Sequence, residues 1–187
     1  MSETAVAPAA SVIEHAFRRS VLEKEKRFTL SADALTVQEE GRPEERFPLS
    51  DVRDVHLRFH RTQQRDYYQC RIGLAGGRTI FLQHVHWGGI ASFEDRRATY
   101  TPFVLALHAL LRPHAARVSF RAGSFGTFLM ALIVTPIIAV LFLGTLIVGR
   151  WIAAGLLALV LLTLLPIIPR SRPRGYAPDA PPARLLP

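Results

Sequence analysis

Cysteine is almost absent. Cys70 stands alone among 187 residues, so the chain closes no disulfide on itself, which fits a reducing compartment. The opening MSETAVAPAA lacks a basic stretch followed by an apolar core, so a cleaved secretory leader is not expected, and residues 1–16 read as a flexible leader. A phosphate-binding glycine loop, a nucleophile elbow and a Cys-X-X-Cys pair are all missing. The glycines of GLAGGR fall between two strand-like segments, where a hairpin turn accounts for them. Together these absences argue against an enzyme, and no cofactor is expected.

Charge is missing from one long stretch. Between Phe125 and Ile168 the only ionised side chain is Arg150, and the rest is dense in Leu, Ile, Val and Ala. A bilayer core of about 30 Å needs roughly 20 apolar helical residues. The segments 125–148 and 151–168 meet that requirement, with Gly149-Arg150 as the break between them and Trp151 as an interfacial anchor. The expectation is a helical hairpin over 125–168 that crosses a membrane twice. One bent span would instead hold Arg150 near mid-bilayer, at a cost of about 2.5–3.5 kcal/mol. Pro136 should kink the first helix, and Pro166 and Pro169 mark the exit of the second. Small residues at helical spacing, Ala131 with Thr135 and Ala154 with Ala158, could bring helices close or support a homo- or hetero-oligomer.

What the chain has in excess is basic charge, a net +8. Beside a membrane segment, anionic lipid is the first partner to consider. Arg112, Arg117 and Arg121 precede the first span, and Arg170, Arg172 and Arg174 follow the second. The positive-inside rule then puts both termini in the cytoplasm. These six arginines, with Arg150 and Trp151 at the turn, are the expected membrane-surface contacts. No interleaved basic and aromatic stripe supports nucleic-acid binding.

From Lys26 to His86, apolar and polar residues alternate between turn signals, as in antiparallel strands. Phe28–Leu30 and Leu35–Val37 flank a short turn. Val55, Leu57 and Phe59 oppose His56, Arg58 and His60, and Tyr68, Cys70, Ile72 and Leu74 share a face. Thr79 to His86 forms the last strand of this series. Thr101, with Pro102 after it, suits a helix start, and Phe103, Val104, Leu107, Leu110 and Leu111 recur at helical period before Arg112-Pro113. Ser11 and Glu14 have capping-box spacing, which would put a short helix before Phe17.

The strand order, the stretch RFPLSDVRDVHLRF (46–59) and the closing helix resemble the bacterial pleckstrin-homology-like domains. The resemblance covers roughly residues 17–115, leaving 116–124 as a juxtamembrane linker and 169–187 as a disordered basic, Pro-rich tail. It implies an α+β fold, a PH-like antiparallel split β-barrel capped by a C-terminal α-helix and followed by two transmembrane α-helices. It also implies binding rather than catalysis. Phosphoinositide-binding members of the wider superfamily carry basic residues on both sides of the first hairpin. Here Lys24, Lys26 and Arg27 precede the turn, but SADALTVQEE follows it, with Asp33 in the turn itself, so half the phosphate cradle is missing.

Three further features are candidate sites. Arg61, Arg65 and Tyr67 form a polar hairpin tip that could touch a protein partner. His84 and His86, two apart, would share one face of a strand and could supply two metal ligands. His56 and His60 would join them only if the two strands were neighbours. No Asp, Glu or Cys at conventional spacing completes a ligand set, and Arg58 lies between His56 and His60, so a structural role is the stronger reading. The expected function is a non-catalytic scaffold in the bacterial inner membrane that holds a protein or anionic-lipid partner at the cytoplasmic surface. The alternatives are an accessory subunit of a larger membrane complex and a histidine-based metal-binding membrane protein.

Overall fold

The structure, a computed structural model, describes residues 12–61, 66–89 and 92–187. Strand β1 (Ile13–Phe17) pairs with β2 (Lys26–Leu30), β2 with β3 (Ala34–Glu39) and β3 with β4 (Glu45–Pro48), all antiparallel. Strands β5 (Val52–Arg61), β6 (Asp66–Leu74) and β7 (Thr79–Gln83) form a second antiparallel run. A small hairpin of β8 (Val85–Gly89) and β9 (Ser92–Asp95) then leads into helix α1 (Arg97–Leu111). Strand β10 (Ser119–Ala122) lies parallel to β5 along its outer edge. The chain continues through α2 (Phe125–Ile147), α3 (Trp151–Leu164) and the short α4 (Ile167–Ser171), and β11 (Arg174–Gly175) returns to pair with β10. The larger sheet therefore runs β11-β10-β5-β6-β7. Among the described residues no pairing joins β4 to β7, and the sheets pack their apolar faces together without closing a barrel.

Alternation decides which strand residues enter the core. Val55, Leu57 and Phe59 of β5 and Cys70 and Ile72 of β6 are buried, while their neighbours face outward. Helix α1 covers this core with Tyr100, Phe103, Val104, Leu107 and Leu111, all fully buried. Burying each such side chain contributes about 1.5–3 kcal/mol. Burial also pushes the Cys70 thiol up to about 12, so the single cysteine is an inert core residue.

The two apolar helices make a tight hairpin. Gly149 has φ 73°, its N–H donates to the Leu146 carbonyl at 3.1 Å, and the Arg150 N–H reaches the Thr145 carbonyl at 2.9 Å. That is a Schellman closure, which favours glycine at the left-handed position. The Arg150 carbonyl then accepts the first bond of α3, from Ala154. Ala131 and Ala154 are buried, as expected of small side chains where α2 and α3 meet.

Several local expectations are corrected. Ser11 lies outside the described residues, and the segment after it is a strand, because His15 and Phe17 turn into the core at period two. The series Thr79–His86 breaks at His84, and Gly88-Gly89 belong to β8 instead of releasing the chain toward the helix. Helix α1 starts at Arg97, five residues early. The Asp95 carboxylate accepts the Arg97 N–H at 3.0 Å and caps it, which leaves Pro102 inside the helix. The expected linker 116–124 contains β10, with Val118, Phe120 and Ala122 buried. The tail 169–187 is ordered: it supplies β11 and fully buries Leu185 in the domain core. That burial offsets the entropy that a Pro-rich segment would otherwise keep.

Candidate functional site

The histidines occupy structural positions. His84 lies in the bend between β7 and β8, so it and His86 do not share a strand. Each is buried, and each Nδ1 accepts a backbone N–H, from Tyr68 at 3.2 Å and from Arg18 at 3.1 Å respectively. Strand β6 separates β5 from β7, which keeps His56 and His60 apart from this pair. Among the described residues, no three or more His, Cys, Asp or Glu gather closely enough to hold a metal ion.

Two further histidines are tied into the fold. His15 is 1% exposed; its Nε2–H donates to the Gln83 carbonyl at 2.9 Å and its Nδ1 meets the Thr99 hydroxyl at 3.0 Å. Burial brings its pKa down to about 4, and the Arg96 cation and His84 add to the depression. His108 donates from Nδ1 to the Val104 carbonyl at 2.7 Å and accepts the Tyr176 hydroxyl at Nε2, 2.8 Å away. Tyr176 stacks on that ring, so His108 clasps the tail to α1.

Three of the basic residues near the first turns are ion-paired within the protein. Lys26 and Arg42 share Glu39, and Arg46 holds Asp33 at 2.5 Å. Strand β1 also makes the first hairpin β1–β2, one strand earlier than the sequence reading placed it. Arg18 and Arg19 thus precede its turn, and Lys24, Lys26 and Arg27 follow the exposed Val21 and Leu22. At the β5–β6 tip, Arg65 lies outside the described residues, and Arg61 and Tyr67 are strand residues at its base. In the parallel register Ala122 sits opposite Leu57, so β5 runs on toward the tip in the direction that carries β10 into α2. The tip and the helical hairpin therefore leave the same end of the sheet.

The arginines predicted to meet a membrane fall into distinct settings. Arg150 and Trp151 stand exposed at the hairpin turn. Arg112 pairs with Asp179 of the tail, Arg117 is exposed, and Arg121 lies 3.7 Å from Asp54. Arg170 belongs to α4. Arg172 and Arg174 come together with Arg184 at a cleft beside the base of α2. The sequence reading missed Arg184, because it lies in a segment read as unfolded. The apolar Tyr176, Leu185 and Leu186 within that Pro-rich stretch were the signal that could have found it.

The helical hairpin is strapped to the domain at both ends. The Ser124 N–H donates to the Ser171 carbonyl at 2.9 Å, the Gly123 N–H to the Leu57 carbonyl at 2.9 Å, and His56 Nε2 to the Gly123 carbonyl at 2.6 Å. Gly123 has φ 88°, and a Cβ there would stand 2.6 Å from the Ser171 carbonyl oxygen and 2.8 Å from the Arg172 carbonyl carbon. Only glycine permits this approach of the incoming and outgoing chains. No family model, curated protein or solved structure matches the chain.

Proposed function

We propose that this protein is a non-catalytic binding module of the pleckstrin-homology-like kind, mounted on a membrane by its helical hairpin. It would hold a protein or anionic-lipid partner at the cytoplasmic surface of a bacterial inner membrane. The observation that carries this reading is the pair of strapped helices. Phe125–Ile147 and Trp151–Pro169, the latter running from α3 into α4, are each long and apolar enough to cross a membrane, and almost none of either is covered by the rest of the chain. At about 1.5 Å per residue, 23 residues of α2 extend about 34 Å. A core helix of this composition would be buried, and so much uncovered apolar surface calls for lipid or another protein.

Parity supports the two-span arrangement. Strand β11 pairs with β10, so the segments before and after the hairpin occupy the same side of any membrane it crosses. The excess of arginine on that side favours the cytoplasm. An alkaline phosphatase fused at Gly149 should be active and one fused at Arg174 inactive; the reverse pattern would overturn the orientation. Antiparallel strands followed by a covering helix are in keeping with the pleckstrin-homology-like resemblance, here with β8–β9 inserted before the helix.

The partner is sought by affinity purification of the full chain from native membranes in mild detergent. A scaffold recovers a partner that substitutions at Tyr67 release. If instead a stoichiometric complex survives those substitutions and is lost when α2 and α3 are replaced by an unrelated hairpin, the chain is an accessory subunit held through its spans.

A further inference from the structure

The cleft at the foot of the helical hairpin has two kinds of wall. Phe128 of α2 with Ile168 and Pro169 of α4 make one apolar side, and Arg172, Arg174 and Arg184 make the other, around about 430 Å³. None of the three arginines has a carboxylate within ion-pair distance among the described residues. The Nε of Arg184 is buried without a hydrogen-bond acceptor. Burial and the neighbouring Arg174 cation push the Arg184 guanidinium below its usual range, so the two cations strain against each other.

The surrounding chain offers little to compensate them. Beyond Asp95 the sequence holds ten of its 23 basic residues, all arginine, and one of its 15 acidic residues. That one, Asp179, is taken by Arg112. A buried donor with no acceptor, among cations with no counter-ion, is completed by an anion. Guanidinium groups suit phosphate oxygens because their paired N–H groups match them two at a time. Phe128 lies in the first turn of α2, at the depth where headgroup gives way to acyl chain if that helix spans the bilayer.

We propose that this cleft holds one anionic phospholipid, its phosphate gripped by Arg172, Arg174 and Arg184 and its first acyl carbons lying on Phe128, Ile168 and Pro169. The site rests on the membrane-spanning reading above and adds a defined lipid to it. The apolar wall favours a lipid over a free phosphate ion, which would leave that wall unused. A zwitterionic lipid brings its own cation against three arginines and is disfavoured.

The test uses the full chain, delipidated in neutral detergent and titrated with phosphatidylglycerol, phosphatidylcholine or inorganic phosphate. Native mass spectrometry and the thermal midpoint are the readouts. One phosphatidylglycerol should bind per chain and raise the midpoint, while the other two probes do neither at the same concentration. Arg184→Gln should weaken phosphatidylglycerol binding by about tenfold or more, the effect of losing a charge-assisted contact. Arg174→Gln serves as a second variant should the first fold poorly, and Arg53→Gln, at an exposed residue of β5 outside the cleft, should bind normally. Equal weakening by Arg53→Gln would mean diffuse attraction and overturn the site, as would inorganic phosphate binding as tightly as the lipid. Alkaline carbonate extraction of native membranes separates the two levels of failure. A chain that stays in the membrane yet shows no saturable lipid defeats the site alone, whereas a chain released to the soluble fraction defeats the membrane reading as well.

Discussion

Replacing Gly123 with alanine will loosen the helical hairpin from the sheet and destabilise the chain by about 2–4 kcal/mol. Two costs combine. An alanine held at φ 88° carries the left-handed penalty of about 1–2 kcal/mol. Its methyl group would also meet the Ser171 and Arg172 backbone, which cannot yield without giving up the Ser124–Ser171 hydrogen bond and the β10–β11 pairing. The chain will respond by letting the tail go. Trypsin will then cut after Arg174 sooner than in the parent; the Arg172-Pro173 bond resists it in either case. Gly175→Ala is the control, since its added Cβ would find only the Phe120 carbonyl, 3.7 Å away. A Gly123→Ala chain with the parent's midpoint and cleavage rate would show that the strap does not hold the hairpin.

Acid will destabilise the β-sheet domain progressively below about pH 6.5. His15 has a folded pKa of about 4 against an ordinary value of 6.5. Between those values the unfolded chain binds the proton and the folded chain does not, so stability falls as the pH drops through that window and is fully present above it. For this one group the loss is about 3 kcal/mol. Burial also depresses His84, His86 and His108, which add losses of the same sign. His108 contributes in a second way, because a protonated Nε2 can no longer accept the Tyr176 hydroxyl that fastens the tail. Thermal midpoints of the full chain in detergent, measured from about pH 7 down to about pH 4, should fall steeply below about pH 6.5. His15→Gln retains a donor for the Gln83 carbonyl and has no proton to gain, so its midpoint should fall less over the same range. A flat profile in the parent would mean that His15 is not held neutral in the core.

The elements legible in the sequence were those whose burial pattern repeats over several residues. Val55-Leu57-Phe59, Cys70-Ile72-Leu74 and the α1 stripe each show one period long enough to recognise, and the two apolar helices show by the absence of charge. What escaped was short or depended on distant partners. Strand β11 is two residues long and exists because β10 is beside it, and β10 needs the edge of β5. The His84–His86 spacing suggested a shared face, but the chain bends at His84, where backbone and ring both bond to Tyr68. The rule that welcomes proline at the first turn misplaced the start of α1, because the Asp95 side chain supplies a cap further upstream. The candidate sites divided in the same way. Arg172 and Arg174 were visible as flanking charge, whereas Arg184 became visible only once the tail was seen to fold.

Leu185 has a consequence for the order of events during synthesis. This core residue is encoded after both apolar helices, as is the strand that completes the larger sheet. The domain therefore cannot reach its final packing while the hairpin is still being made. Until then the floor of its core stays open and β10 presents a bare edge. Maturation of the β-sheet domain thus waits on completion of the helical hairpin. On the membrane-spanning reading proposed above, a chain whose second helix stalled would strand its last segment across the bilayer and expose an unfinished domain to proteases on the near side.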